Sequence, residues 1–284
     1  MKLKNVLLSL GLAALCVVNT GCSKTPSGNT AIAMTFKDGD KIAEITIQGY
    51  GTIKAKLFPD LAPNAVKNFI ELADSKYYDG LKIHRVAKDM CIQGGSLYGD
   101  GTGGEAVINT DGFFDNEISE DARHIYGALC YANLDGKNTT QFYVVTSQAK
   151  TDITNFSPSV IREKAKECTD KKAEYEENDP ELDYLTAQEA YYTNLATMIE
   201  KASYDAAAKY MTTGGYPLWD GYDTVFGQVF EGFEVLDALN SVEVTTASSG
   251  LLEKPTQDLI IESVVITDYA TPEPEPEKSS KKKK

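Results

Sequence analysis

The sequence is short of the side chains on which most metal and redox enzymes rely. It holds two histidines, His84 and His124, among 284 residues. Two cannot build a His-rich metal site, and neither lies in an H-E-x-x-H setting. The five cysteines form no C-x-x-C pair, which argues against zinc ribbons and dithiol redox folds. There is no G-x-S-x-G elbow and no G-x-x-x-x-G-K-[ST] loop, and the acids are too scattered to nominate a catalytic carboxylate pair. Positive charge is also scarce. Lys and Arg total 28 against 42 Asp and Glu, a net charge of −14 and a pI near 4.7. Nucleic-acid binders gain affinity when basic residues release counterions from phosphates, so this balance argues against one. Beyond the N-terminus no apolar run reaches the length of about 20 residues that a membrane span needs. What remains is 42% hydrophobic and 25% charged, the composition of a packed globular body.

The first residues read as an address. Lys2 and Lys4 precede an apolar run over 6–18, followed by Asn19-Thr20-Gly21-Cys22. A run of about a dozen apolar residues suits an export signal and is too short for a span. Small residues before a cysteine resemble a bacterial lipobox, with Asn19 where Leu is usual. Residues 1–21 are therefore expected to be a lipoprotein signal peptide, with Cys22 diacylated on sulfur and residues 22–38 a polar tether. Each buried lipid CH₂ contributes about 0.8 kcal/mol, so two or three chains would hold the protein firmly on a membrane. The expected location is extracytoplasmic, at the cell surface or periplasmic face of a bacterial membrane. Cys91, Cys130 and Cys168 then remain, and an odd number leaves at least one unpaired or signals a reducing habitat.

Apolar residues alternate over 41–47 and 52–58 around Gly49-Tyr50-Gly51, the pattern of a hairpin. Val66, Phe69, Ile70 and Ala73 mark one face of a helix within 60–75, with Pro63 near its start. Short strand-like runs follow at 81–86, 90–93, 126–131, 141–146, 224–229 and 259–266, with a second helix at 233–239. Many short strands and few helices predict an antiparallel barrel or sandwich. Residues 152–213 break the texture. Ser157-Pro158 opens a charged helix that must end before Asp179-Pro180, and the capping box Thr186-Ala187-Gln188-Glu189 opens a second, running to Gly214-Gly215. An inserted helical hairpin is expected there, and residues 269–284 read as a disordered Pro/Glu/Lys tail whose lysines at 281–284 are solvated or near an anionic surface. The main domain is thus assigned to 39–151 and 214–268.

Chemistry concentrates in a few segments. Ile83-His84-Arg85-Val86 leads to Met90-Cys91-Ile92-Gln93-Gly94-Gly95, then Gly101-Thr102-Gly103-Gly104-Glu105. Gly127-Ala128-Leu129 through Ala132-Asn133 precedes Gln141-Phe142-Tyr143-Val144, and Leu218-Trp219-Asp220-Gly221-Tyr222-Asp223 precedes Val225-Phe226-Gly227-Gln228-Val229. Taken alone, these are strands carrying an Arg, two Gln and an Asn among apolar neighbours. An isolated Arg85 is most simply a surface or ion-paired arginine, and Gln93 and Gln141 edge-strand hydrogen-bonders. His84 alternates away from Arg85 and reads as structural.

In this order the segments resemble the cyclophilin-type peptidyl-prolyl cis-trans isomerases, over about residues 41–151 and 216–267. The resemblance implies a mainly β fold, an eight-stranded closed antiparallel β-barrel capped by two helices, here carrying the helical hairpin. It implies that Arg85 is the catalytic arginine and that Gln93 and Asn133 contact substrate. Ala132 and Gln141 would line the same groove. Met90, Cys91 and Tyr143 fall where the family builds its apolar proline pocket, with Cys91 smaller than the usual Met. Leu218 and Trp219 stand in swapped order relative to the family's Trp-Leu pair, and Asp223 replaces its histidine. Both bear on inhibitor binding more than on catalysis. No cofactor or metal is implied. The expected partners are unfolded or Pro-containing exported polypeptides, and the expected state is a monomer. A rival reading is a catalytically weak binding or chaperone module on the same scaffold, and a third is an adhesion lipoprotein.

Overall fold

Alternation around the first glycine turn produces the expected hairpin. In the computed structural model, described over residues 34–272 except 135, 177–178 and 249, β1 (Lys41–Ile47) pairs antiparallel with β2 (Gly51–Leu57). Ile45, Ile47, Ile53 and Leu57 are all buried. The helix α1 (Pro63–Asp74) buries Val66, Phe69 and Leu72 against this sheet's core. Ala62 at its N-cap offers no side-chain acceptor, and Glu117 supplies one instead, accepting from the Asn64 and Ala65 backbone N–H groups at 3.1 and 2.9 Å.

Six further strands complete one curled antiparallel sheet: β3 (Arg85–Ala87), β4 (Cys91–Gly94), β6 (Ala128–Tyr131), β8 (Phe142–Val145), β9 (Val225–Glu231) and β12 (Ile261–Asp268). Their order is β12-β1-β2-β9-β6-β8-β4-β3. Two small ribbons stand outside it, β5 (Phe114–Asp115) with β7 (Lys137–Asn138), and β10 (Val244–Thr246) with β11 (Leu252–Pro255). Phe69 meets the rings of Tyr78, Phe142 and Phe226 at 5.1–5.6 Å, and α5 (Phe233–Asn240) adds Val235, Leu236 and Leu239 to the same core.

The closed barrel is only partly realised. β12 and β3 lie at the two ends of the sheet and meet through an isolated bridge between Lys82 and Ile260. The contact there is short: the Gly80 N–H donates to Ile261 O, the Ile261 N–H to Leu81 O and the Ile83 N–H to Leu259 O, each at 2.8 Å. On its other side the same run meets β4, where the His84 N–H donates to Gln93 O at 3.0 Å. The seam is therefore a single bridge and not a long ladder.

The insertion between β8 and β9 also differs from the expected hairpin, because it holds three helices: α2 (Pro158–Lys172), α3 (Pro180–Glu200) and α4 (Tyr204–Thr212). Asp179 caps α3, accepting from the Glu181 N–H at 2.9 Å, so Asp-Pro opens this helix, while α2 has already ended at Lys172. Thr186 lies in the helix interior, where its hydroxyl donates to Leu182 O at 2.8 Å, and the supposed capping box starts nothing. Ser203 then caps α4, accepting from the Ala206 N–H at 3.1 Å, which divides the second expected helix in two.

These helices share an apolar cluster with the barrel, Ile161, Tyr191, Leu195 and Tyr210 packing with Ile125. Beside it lies a polar hub. Asp220, with 0% exposure, accepts from Arg123 Nη1 at 3.2 Å, the His124 N–H at 3.0 Å and the Tyr210 hydroxyl at 2.8 Å. Arg123 Nη1 also donates to Met198 O in α3 at 2.9 Å. Burial alone would raise the Asp220 carboxyl, but Arg123 and His124 outweigh it and hold its pKa below the ordinary aspartate value.

A depressed carboxyl stabilises the fold in full above its unfolded pKa of about 4, and that stability is lost as pH falls through the folded value. Replacing Asp220 by Asn leaves Arg123 buried without its counterion and should cost about 3–5 kcal/mol at pH 7. Urea unfolding from pH 7 to pH 3 should show the difference between wild type and Asp220→Asn narrowing below about pH 4. A constant difference would contradict this role.

Candidate active site

The β3–β4 register sets Arg85 opposite Gln93, Val86 opposite Ile92 and Ala87 opposite Cys91. With the two-residue alternation of strands, Val86 and Ile92 enter the main core, while Ala87 and Cys91 belong to a second cluster on the other face. Arg85 Nη1 donates to Gln93 Oε1 and to Cys91 Sγ, both at 3.2 Å. Its other edge meets Glu253 of β11, with Nε to Oε2 at 2.7 Å and Nη2 to Oε1 at 3.0 Å. Burial works against the guanidinium charge, but Cys91, Glu253 and Tyr143 together hold its pKa above the ordinary arginine value. His84 is mostly buried, and desolvation, helped by the charge of Arg85, lowers its pKa to about 4. It is therefore neutral near pH 7.

Hydrogen bonds continue away from Arg85. Gln93 Nε2 donates to Gln141 Oε1 at 3.1 Å, and Gln141 Nε2 donates to Gly101 O at 3.0 Å. The glycine-rich segment is thereby tied to the site as packed backbone. At Gly104, φ is +99° and a Cβ would lie 2.0 Å from Thr140 Oγ1, so only glycine fits.

The apolar part gathers around Tyr143. Cys91, Cys130, Tyr143 and Val225 form a buried cluster edged by the partly exposed Met90, Ala132, Tyr216 and Trp219. The Trp219 ring lies 5.2 Å from that of Tyr143 and 4.4 Å from that of Tyr216. Of the residues singled out in the sequence, Met90, Cys91, Ala132, Tyr143 and Trp219 are brought together here, beside Arg85 through Cys91. Cys91 and Tyr143 are a floor below the surface, at 0% and 3% exposure. Desolvation pushes the Cys91 thiol up to about 11, so it is a protonated apolar contact at neutral pH.

Three other positions lie differently from what the resemblance implies. Leu218 packs with the helical cluster, where the Tyr191 hydroxyl donates to its carbonyl at 2.9 Å. Adjacent residues of the 3₁₀ turn Pro217–Trp219 diverge by about 120°, so only Trp219 of the swapped pair faces Tyr143. Asp223 is buried and acts as a brace, accepting from the Tyr143 hydroxyl at 2.7 Å and from the Asn133 N–H at 3.2 Å. Burial outweighs these donors and raises its pKa. The side chain of Asn133 is taken up internally, donating to Tyr222 O at 2.9 Å and accepting from the Gly136 N–H at 3.0 Å. What remains on the partly exposed rim is Arg85, Met90, Gln93, Ala132, Gln141 and Trp219.

No local sequence signal marks Glu253. It lies 168 residues from Arg85, and nothing local separates it from the other acids of the C-terminal region. Beside it, between β3 and the β10–β11 ribbon, is an open cavity of about 370 Å³ lined by Ala87, Lys88, Glu243, Val244, Leu251, Leu252 and Glu253. Among the described residues no cluster of His, Cys, Asp and Glu could hold a metal, and no helix is long and apolar enough to cross a membrane. Cys22, the apolar run before it and the tail beyond residue 272 lie outside the described residues.

The chain is similar to known proteins over most of its length. Residues 42–266 match the family model described as cyclophilin type peptidyl-prolyl cis-trans isomerase/CLD. A candidate peptidyl-prolyl cis-trans isomerase of Staphylococcus haemolyticus is 33% identical over 220 residues, covering 77% of this chain and 87% of its own. One from Staphylococcus saprophyticus is 31% identical over 244 residues, covering 86% and 98%. Among solved structures, a cyclophilin-type isomerase of Cryptosporidium parvum, crystallised in the presence of the dipeptide Ala-Pro, is similar in fold. Its TM-score is 0.51 and its identity 23%, over 80% of this chain and 98% of its own. With the family model spanning most of its length, the chain belongs to the cyclophilin-type peptidyl-prolyl cis-trans isomerases.

Proposed function

We propose that this isomerase accelerates X–Pro rotation in exported polypeptides at the outer face of a bacterial membrane, with Arg85 stabilising the twisted amide. The observation that carries the reading is a charged guanidinium held at the edge of an apolar cluster made by Met90, Cys91, Ala132, Tyr143 and Trp219. Rotation about X–Pro faces a barrier of about 18–20 kcal/mol because twisting removes amide resonance. No bond breaks, so the reaction needs neither nucleophile nor electron acceptor. An apolar surface can hold the pyrrolidine ring while the preceding carbonyl turns. In the twisted state the proline nitrogen regains a lone pair and accepts a hydrogen bond better than in either planar state. A donor placed for that nitrogen stabilises the transition state selectively. Arginine suits the task because it stays charged and its N–H groups lie in one plane.

The donor inventory sharpens this. Of five N–H bonds on the guanidinium, two go to Glu253 and two, on Nη1, to Gln93 and Cys91. The remaining Nη2–H has no acceptor among the described residues, and it lies on the edge shared with Nη1. One donor, and not a fork, is therefore available for the substrate. Gln93 and Gln141 would hold the flanking peptide backbone. The same inventory favours a second reading, a binding module of weak turnover. In it Glu253 and the internally bonded Asn133 leave too few donors for catalysis, and the helical insertion captures Pro-containing chains.

Arg85→Ala in the full chain should lower kcat/KM on an Ala-Pro tetrapeptide by at least about tenfold in a protease-coupled assay. Unchanged turnover would remove Arg85 from the mechanism. The membrane location rests on residues 2–22, so Cys22→Ala should abolish palmitate labelling and release the protein from the membrane fraction. Continued labelling would refute lipidation at Cys22.

A further inference from the structure

We propose that Glu253 is the positioning residue of this site, fixing the direction in which Arg85 offers its free N–H. The inference rests on the reading of Arg85 as the donor to the twisted amide, and it adds a second element of the fold, the β10–β11 ribbon, to the machinery.

The ribbon's register supports the assignment. Val244 faces Pro255 and Thr245 faces Lys254, but Thr246 faces Leu252. Glu253 is therefore the extra residue of a bulge. A bulge leaves one residue out of the ladder and turns its side chain, a device found near active sites. Here the turned side chain reaches Arg85 with both carboxylate oxygens, at 2.7 and 3.0 Å. The side chains of the pair are 26% and 14% exposed, whereas those of Lys41 and Asp268 in an ordinary surface pair are 45% and 63% exposed. Partial exclusion of water strengthens the first pair relative to the second. An open groove of about 370 Å³ lies beside the pair, between ribbon and β3, with Glu253 but not Arg85 in its lining.

A carboxylate beside the donor has two opposed effects. It reduces the positive field at the substrate, and it removes the rotational freedom of a long side chain. The remaining contacts decide between them. Gln93 and Cys91 hold only Nη1, both at 3.2 Å, and a planar group held at one nitrogen can still swing. The bidentate contact on the Nε–Nη2 edge fixes the plane, and with it the direction of the free Nη2–H. A mispointed donor cannot stabilise a transition state, however strong its charge.

The test is a double-mutant cycle in the full chain with Arg85→Ala, Glu253→Ala and their combination, assayed on an Ala-Pro tetrapeptide. The isosteric Glu253→Gln guards against loss of folding. Glu253→Ala should lower kcat about tenfold with little change in KM, and Glu253→Gln should fall between it and wild type. In the Arg85→Ala background Glu253→Ala should have no further effect. The Arg85 Nε–H should give a slowly exchanging ¹⁵N–¹H NMR signal that Glu253→Ala abolishes. An unchanged or raised kcat in Glu253→Ala would overturn the proposal, as would an equal loss in the Arg85→Ala background. Both results are distinguishable from failure of the underlying reading, in which Arg85→Ala itself would retain wild-type turnover.

Discussion

A positive charge that must stand beside an apolar surface without losing its direction is the constraint from which this site follows. Water would solvate a free guanidinium and let it wander, while full burial would cost several kcal/mol in lost hydration. The protein takes an intermediate course. Arg85 is half-buried, and charge-assisted contacts with Glu253 offset part of its lost hydration. The β3–β4 register brings Gln93 opposite Arg85 with no demand on distant structure, and Gln141 and Gly101 extend the same line of hydrogen bonds. Fold and site meet at that register. Slipping it by one residue would send Arg85 into the core and Val86 to the groove.

A second polar centre stands behind the apolar wall. Asp220 joins the barrel to α3 and α4 through Arg123, His124 and Tyr210. The His124 ring lies 6.3 Å from that of Tyr143 and 6.2 Å from that of Trp219, so the hub and the apolar cluster share a boundary. The insertion is thus fixed to the part of the barrel that carries Trp219.

What could be read from the sequence was what adjacent residues determine. Alternation gave the β1–β2 hairpin and helical spacing gave α1, whereas Arg85, Gln93 and Gln141 stood out only through the family that the order of the motifs resembles. The unread features depend on partners far along the chain. The barrel seam is a single bridge between Lys82 and Ile260, residues far apart in the chain, and no local pattern encodes how far that pairing extends. Leu218 turns from the groove because Tyr191 and the helical cluster receive it. Asp179 and Thr186 both carried valid helix-start signals, and the more N-terminal one governs because a helix already formed absorbs Thr186 into its interior. Glu253 reaches Arg85 through a bulge, and a one-residue slip in a short ribbon leaves no mark on composition or period.

Exchange NMR on an Ala-Pro peptide with a catalytic amount of the full chain tests the central claim most directly, because it sees rotation and binding separately. The account predicts cis–trans exchange cross-peaks at mixing times far below the uncatalysed tens to hundreds of seconds. Peptide signals that broaden on binding, with no exchange cross-peaks, would contradict it and leave a protein that holds proline without turning it.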